Sequence, residues 1–189
     1  MKVYARFLKE AGLLTTGARG VNAPDMTYLD AARMTIALMA TDSPAQCVDR
    51  VKQFGPLKHD PKARRSYRGY ESIQADEFKE LFQGETLEGV LAFILSRPVE
   101  LGIEDYSKWN QENIFHLRVI PFGVMAEIFS DIWEDNEVIG TRVATFKGDP
   151  FDSAFPKIKG GIRTERLAAS AVLDRLAIGM WAADQNVEA

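Results

Sequence analysis

The spacing of apolar residues changes near Ile114, and this change constrains the fold more than any other feature of the sequence. Before Ile114, apolar side chains recur every three or four residues over several segments, which is typical of amphipathic helices. From Phe115 to Phe146 they alternate with polar side chains, which is typical of strands with one buried face. The sequence therefore predicts an α+β fold in which most helices precede the strands.

Three helices are predicted in the first part of the chain, at about residues 3–14, 28–40 and 44–54. A capping box of Thr27 and Asp30 begins the second helix. The third helix follows Ser43-Pro44-Ala45-Gln46, where we expect the serine to cap the helix and the glutamine to bond back. Because a short turn joins the second and third helices, residues 1–55 are expected to form a trihelical, helix-turn-helix-like unit.

The rest of the chain is predicted to contain a connector and a second domain. Residues 56–70 are rich in Lys and Arg and include two prolines, so we expect a basic connector. Residues 71–189 are expected to form an α+β domain with a three-stranded antiparallel meander, whose strands begin near Ile114, Val124 and Val138. Its predicted helices lie at 75–83, 86–96, 104–111 and 164–183. Pro98 is a stop signal for the helix at 86–96.

Charge is distributed unevenly along the chain, although the net charge is only −4. Residues 1–70 hold twelve Lys or Arg and six Asp or Glu, a net charge of +6. Residues 71–189 hold eleven and twenty-one, a net charge of −10. This asymmetry indicates that the two parts meet different partners, and a polyanion such as DNA suits the first part.

One face of the third predicted helix carries side chains suited to reading DNA. Gln46, Arg50 and Gln53 are spaced by four and three residues, which places them on one outward side. Arginine suits guanine and glutamine suits adenine in the major groove, whereas Asp49 on the same side repels phosphate or accepts from cytosine. Further predicted DNA contacts come from the glycine-rich loop and the connector: Arg19, Lys62, Arg64, Arg65 and Arg68.

Two other interpretations of the basic residues stay open. Trihelical units also dock proteins, and a basic connector can lie against the acidic part of its own chain.

Trp133 lies beside a predicted turn. Its side chain is expected either to contribute to self-association or to pack in the core.

Motifs for catalysis, metal binding and membrane insertion are absent from the sequence. The single cysteine, Cys47, cannot close an internal disulfide and falls on the inward side of a predicted helix. His59, His116 and Cys47 are scattered without metal-ligand spacing, so we expect no metal or cofactor. Neither a signal peptide nor a long apolar segment is evident, which predicts a cytoplasmic protein without a membrane partner.

The first 55 residues resemble the opening of small bacteriophage and prophage proteins with an N-terminal helix-turn-helix unit. The resemblance lies in three stretches: residues 7–14 (FLKEAGLL), 17–20 (GARG) and 23–27 (APDMT). A similar organisation is found in small terminase subunits, which recognise phage DNA and form rings. The resemblance implies a double-stranded DNA partner and a homo-oligomer, and it transfers no functional residue.

These features predict a non-enzymatic, phage-derived DNA-binding protein that acts in packaging or regulation and contacts DNA through its basic N-terminal part. The alternative is a phage-encoded inhibitor of a host nucleic-acid machine, as anti-CRISPR proteins are. Such an inhibitor binds a host or phage protein complex through an acidic surface, here the C-terminal part. An enzyme is a third class, but the sequence contains no motif that would bring together a nucleophile, a base and an oxyanion donor.

Overall fold

The computed structural model describes residues 1–17, 25–60, 85–135, 137–148 and 166–187. Within these ranges, six α-helices and a five-stranded antiparallel sheet form an α+β fold. The predicted helix at 75–83 lies outside the described residues, as does the start of the predicted helix at 164–183. No helix of the described ranges combines the length and the apolar character needed to cross a membrane.

The first two helices follow local signals in the sequence. Helix α1 (Lys2–Glu10) ends before the predicted limit of residue 14, because Gly12 adopts a left-handed φ of +69° that cannot continue a helix. Helix α2 has the predicted bounds, Tyr28–Ala40. Its capping box is confirmed: Asp30 N donates to Thr27 Oγ1 at 3.1 Å, and Thr27 N donates to Asp30 Oδ2 at 3.0 Å.

The third helix begins at the predicted proline but in a different way. A 3₁₀ turn covers Pro44–Gln46 and leads into α3 (Cys47–Phe54). The predicted serine cap is wrong, because the Ser43 side chain makes no capping hydrogen bond. Instead Thr41 Oγ1 accepts from Ser43 N at 3.0 Å and donates to Gln46 Oε1 at 3.2 Å, so the residue that ends α2 also organises the turn.

Two further helices precede the central strands. Helix α4 (Leu87–Leu101) starts at the Thr86 cap and runs past Pro98, so the predicted stop near residue 96 is wrong. Pro98 is buried within the helix, and packing there outweighs the hydrogen bond that its ring nitrogen cannot donate. Helix α4 ends at Leu101, before Gly102, whose φ is +75°. Helix α5 (Ile103–Glu112) matches the predicted helix at 104–111.

The sheet contains the three predicted strands and one more at each edge. Its strands, in chain order, are β1 (Lys58–His59), β2 (Phe115–Ile120), β3 (Met125–Glu134), β4 (Glu137–Lys147) and β5 (Arg166–Ala168). The spatial order is β1-β4-β3-β2-β5, and all pairs are antiparallel. The sheet therefore has five strands, two more than the predicted three-stranded meander.

Both edge strands fall where the sequence predicted something else. Strand β1 lies in the predicted connector and pairs with the end of β4, Lys58 opposite Lys147. Strand β5 lies in the predicted C-terminal helix, which begins only at Ser170 as α6 (Ser170–Val187). Because β5 hydrogen-bonds to the open side of β2, it satisfies backbone groups that a helix there would leave unpaired.

A single main apolar cluster joins the helices to one face of the sheet. It contains Leu8, Ile36 and Phe54 from the first three helices together with Leu91 of α4 and Ile128 of β3. The N-terminal helices and the α+β part thus share a core across the predicted boundary at residues 56–70. The boundary itself stays a prediction, because residues 61–70 lie outside the described ranges.

Candidate nucleic-acid interface

Helix α3 separates an inward apolar side from an outward polar side, as its periodicity predicts. Cys47, Val51 and Phe54 are buried in the main cluster. The predicted DNA-reading residues lie on the other side, where Gln46 is exposed and Arg50 and Gln53 are partly exposed. The packing of the apolar side fixes the rotation of the helix and so directs the polar side outward.

Hydrogen bonds hold the three outward side chains in defined positions. Arg50 Nη1 donates to Gln53 Oε1 at 2.8 Å, so these two side chains form one unit. Gln46 accepts from Thr41 and is thereby held against the end of α2. The structure brings Arg50 and Gln53 into direct contact and holds Gln46 near the turn that precedes them.

Helix α1 adds a basic stripe next to α3, which the predicted set of DNA contacts did not include. Lys2, Arg6 and Lys9 are all exposed and follow each other at spacings of four and three residues. Tyr4 joins α1 to the turn before α3, because its hydroxyl donates to Thr41 O at 3.1 Å. The helical spacing of the three cations was the sequence signal for this stripe.

Acidic side chains reduce the positive charge of this surface. Asp49 is exposed on the outward side of α3, as expected, and Lys52 is exposed three residues further along. Glu10 lies 3.8 Å from the Arg6 guanidinium, and both side chains are largely exposed. Such a solvent-exposed pair is weak and leaves the Arg6 guanidinium accessible to an anion.

The basic N-terminal part does not direct all of its charges outward. Arg33 on α2 is partly buried, and its Nε lies 2.9 Å from Glu88 Oε2 on α4. This arginine therefore serves the packing of helices. The other predicted contacts, Arg19, Lys62, Arg64, Arg65 and Arg68, lie outside the described residues.

Residues with catalytic or metal-binding chemistry are occupied in packing. Cys47 is fully buried, its Sγ lies 4.0 Å from Tyr4 O, and burial raises the pKa of its thiol. Burial likewise lowers the pKa of His59, whose ring packs 5.8 Å from that of Phe146. In the described ranges, no three His, Cys, Asp or Glu side chains are grouped so that they could hold a metal ion.

Helices α1 and α3 are adjacent, and each exposes cations or amide side chains away from the apolar cluster. We call these side chains together the α1–α3 surface and define it by Lys2, Arg6, Lys9, Gln46, Arg50, Lys52 and Gln53. Its cations suit phosphate contacts, and its arginine and glutamines have the donors that major-groove base edges accept. No protein-family model, no curated protein and no solved structure matches this chain.

Proposed function

We propose that this chain is a non-enzymatic, phage-derived protein that binds duplex DNA through its basic N-terminal part, in packaging or regulation. The observation that carries the proposal is the outward side of α3, where Arg50 is held by Gln53 next to the turn after α2. A major groove about 12 Å wide admits a helix, so side chains on such a helix can reach base edges.

The α1–α3 surface contains two kinds of proposed DNA contact: side chains that recognise bases and cations that contact phosphates. Arg50 retains its Nη2 and Nε donors for guanine while Gln53 holds its Nη1. The α1 stripe of Lys2, Arg6 and Lys9 suits phosphates, which position a protein on DNA without reading sequence. Asp49 disfavours close approach of a phosphate and is able to accept from the amino group of cytosine.

Fluorescence anisotropy with labelled duplexes tests the role of Arg50. After selection of a preferred duplex, Arg50→Ala is expected to weaken its binding by about 1 to 3 kcal/mol and to leave binding of random duplex nearly unchanged. Arg175→Ala removes an exposed arginine from α6 and serves as the matched control. An equal loss on random duplex would make Arg50 a phosphate contact, and no loss on either duplex contradicts its role.

The salt dependence of binding tests the predicted connector contacts. Replacing Arg64, Arg65 and Arg68 by Ala is expected to weaken binding to all sequences. It should reduce the slope of log affinity against log salt by about one unit for each phosphate that the variant no longer neutralises. Unchanged retention of this variant on duplex DNA at low salt contradicts a role of the connector in binding.

A second candidate function, inhibition of a host nucleic-acid machine, is favoured by an acidic surface at the turn between β3 and β4. Glu134, Asp135 and Glu137 are exposed where β3 meets β4. Such a surface suits the basic channel of a nucleic-acid enzyme. Immobilised protein at low salt distinguishes the two functions, because an inhibitor retains a host complex in the absence of DNA and loses it when these three residues are replaced by Lys.

A further inference from the structure

The hairpin of β3 and β4 extends beyond the other three strands of the sheet. Phe115 at the start of β2 pairs with Ser130, so the pairing of β3 with β2 ends at that residue. Strand β1 pairs with β4 only at its far end, at Phe146 and Lys147. Within the described residues, the strand segments 131–134 and 137–141 therefore pair only with each other, as a two-stranded ribbon. Residues 133–135, 137 and 139 at its end are exposed.

The end of this ribbon exposes two large apolar side chains. Trp133 is 57% exposed and Ile139 is 51% exposed. The register shifts between Ile132 and Trp133, which inserts one extra residue in β4. Ile132 pairs with Gly140 and Trp133 pairs with Val138, so Ile139 is this extra residue and lies next to the partner of Trp133.

Acidic residues lie next to this apolar pair in the sequence, at the turn between the strands. Glu134, Asp135 and Glu137 are exposed on either side of the turn. We call Trp133, Ile139 and these three residues the hairpin tip. An exposed tryptophan at the end of a hairpin is typical of a protein interface, where tryptophan carries a large share of the binding energy. The negative charge of the tip disfavours duplex DNA as its partner.

The N-terminus carries a surface of the opposite charge and a similar apolar content. Met1 is 78% exposed and Val3 is 47% exposed, and the exposed cations Lys2 and Arg6 lie beside them on α1. We call these four residues the N-terminal patch. No hydrogen bond or ion pair between described residues joins it to the hairpin tip of the same chain.

We infer that, in the absence of DNA, the hairpin tip of one copy docks on the N-terminal patch of a second copy, whose Lys2 and Arg6 are then not available to phosphates. Each surface has two exposed apolar side chains flanked by charges, negative on the tip and positive on the patch, so both burial and charge favour their pairing. The two surfaces differ, so the contact is heterologous. Repetition of a heterologous contact closes into a ring or continues as a fibre.

Sedimentation velocity of the full chain without DNA tests this inference. We expect self-association that weakens as salt rises, because exposed charges at the rim are screened. Trp133→Ala is expected to weaken association by about thirtyfold, the effect of losing an interfacial hot spot. Val172→Ala, which removes an exposed apolar side chain from α6, is the matched control and should leave association unchanged.

A charge exchange identifies the two surfaces as partners. One variant carries Lys2→Glu and Arg6→Glu, and the other carries Glu134→Lys and Glu137→Lys. Each variant alone presents like charges at the contact and should sediment as a monomer. Their mixture presents opposite charges where the two unchanged surfaces meet and where the two exchanged surfaces meet, so we expect it to associate as the unchanged protein does.

Two results would contradict the inference. A monomer at every concentration of the unchanged protein contradicts it, as does a mixture of the two variants that stays monomeric. Circular dichroism and melting temperature check that the variants fold. The DNA proposal is judged separately, because the Glu134→Lys and Glu137→Lys variant keeps the α1–α3 surface and should still bind duplex DNA.

Discussion

Arg33 on α2 reaches Glu88 on α4, with Nε and Oε2 separated by 2.9 Å. Its Nη1 also donates to Leu13 O at 3.0 Å, so one guanidinium holds the segment after α1, helix α2 and helix α4 together. Glu88 in turn lies against Gly55, whose carbonyl accepts from Glu88 N at 3.1 Å. This contact fastens the N-terminal helices to the α+β part of the molecule.

Removal of the Arg33 side chain should destabilise the fold. Arg33→Ala breaks two charge-assisted hydrogen bonds in a partly buried place, so we expect the free energy of unfolding to fall by about 2 kcal/mol. Arg6→Ala, which breaks a pair that is exposed on both sides, should cost about 0.3 kcal/mol. Urea denaturation measures both values. Equal losses contradict the structural role of Arg33.

Alanine at two glycines should have opposite effects on stability. A Cβ at Gly55 would lie 2.8 Å from both Val51 O and Glu88 Oε2, so Gly55→Ala should cost about 1 to 2 kcal/mol. A Cβ at Gly179, inside α6, would meet nothing within 4 Å. Gly179→Ala should therefore stabilise the protein by about 0.5 to 1 kcal/mol. Thermal unfolding of both variants checks the signs.

The ion pair between β2 and β3 should be costly to break from one side. Arg118 Nη1 lies 3.1 Å from Glu127 Oε2, with side-chain exposures of 12% and 2%. Glu127→Ala leaves the guanidinium without this carboxylate in a dry environment, so we expect a loss of about 3 kcal/mol. Asp105→Ala, which breaks the exposed pair with Lys108, is the control and should cost about 0.3 kcal/mol. A small loss for Glu127→Ala contradicts this account.

Asp30 should make stability depend on pH in the acid range. Burial opposes ionisation of its carboxyl, but hydrogen bonds from Thr15 and Thr27 lower its pKa below the ordinary 3.8. The folded state therefore favours the carboxylate, and the stability that it contributes is lost as pH falls below 3.8.

Asp30→Asn tests this dependence. At pH 7 it should lower the free energy of unfolding by about 2 kcal/mol, and the difference should shrink as pH falls through the acid range. Asp25→Asn, at an exposed position before the same helix, is the control. A difference that stays constant from about pH 7 to about pH 3 rules out the proposed origin.

Local interactions explain the elements that sequence alone predicts well. The bounds of α2 follow from a capping box whose two hydrogen bonds join residues three apart. The three central strands follow from alternation, because the side chains of a strand point to opposite faces in turn. The inward side of α3 and the exposure of Gln46 likewise follow from a helical period.

Contacts between residues distant in sequence account for the elements that were predicted wrongly. Pro98 stays inside α4 because tertiary packing surrounds it, and β5 forms because β2 has an open edge.

The fold class, the uneven charge and the polar side of α3 can be predicted from the sequence, since each depends on residues close together in the chain. The position of α1 beside the turn before α3, the use of Arg33 in packing and the exposure of Trp133 follow only from the three-dimensional arrangement. These features depend on tertiary contacts between segments that are far apart in the chain. Neither the hydrophobic periodicity nor the charge of a segment predicts which other segment it packs against.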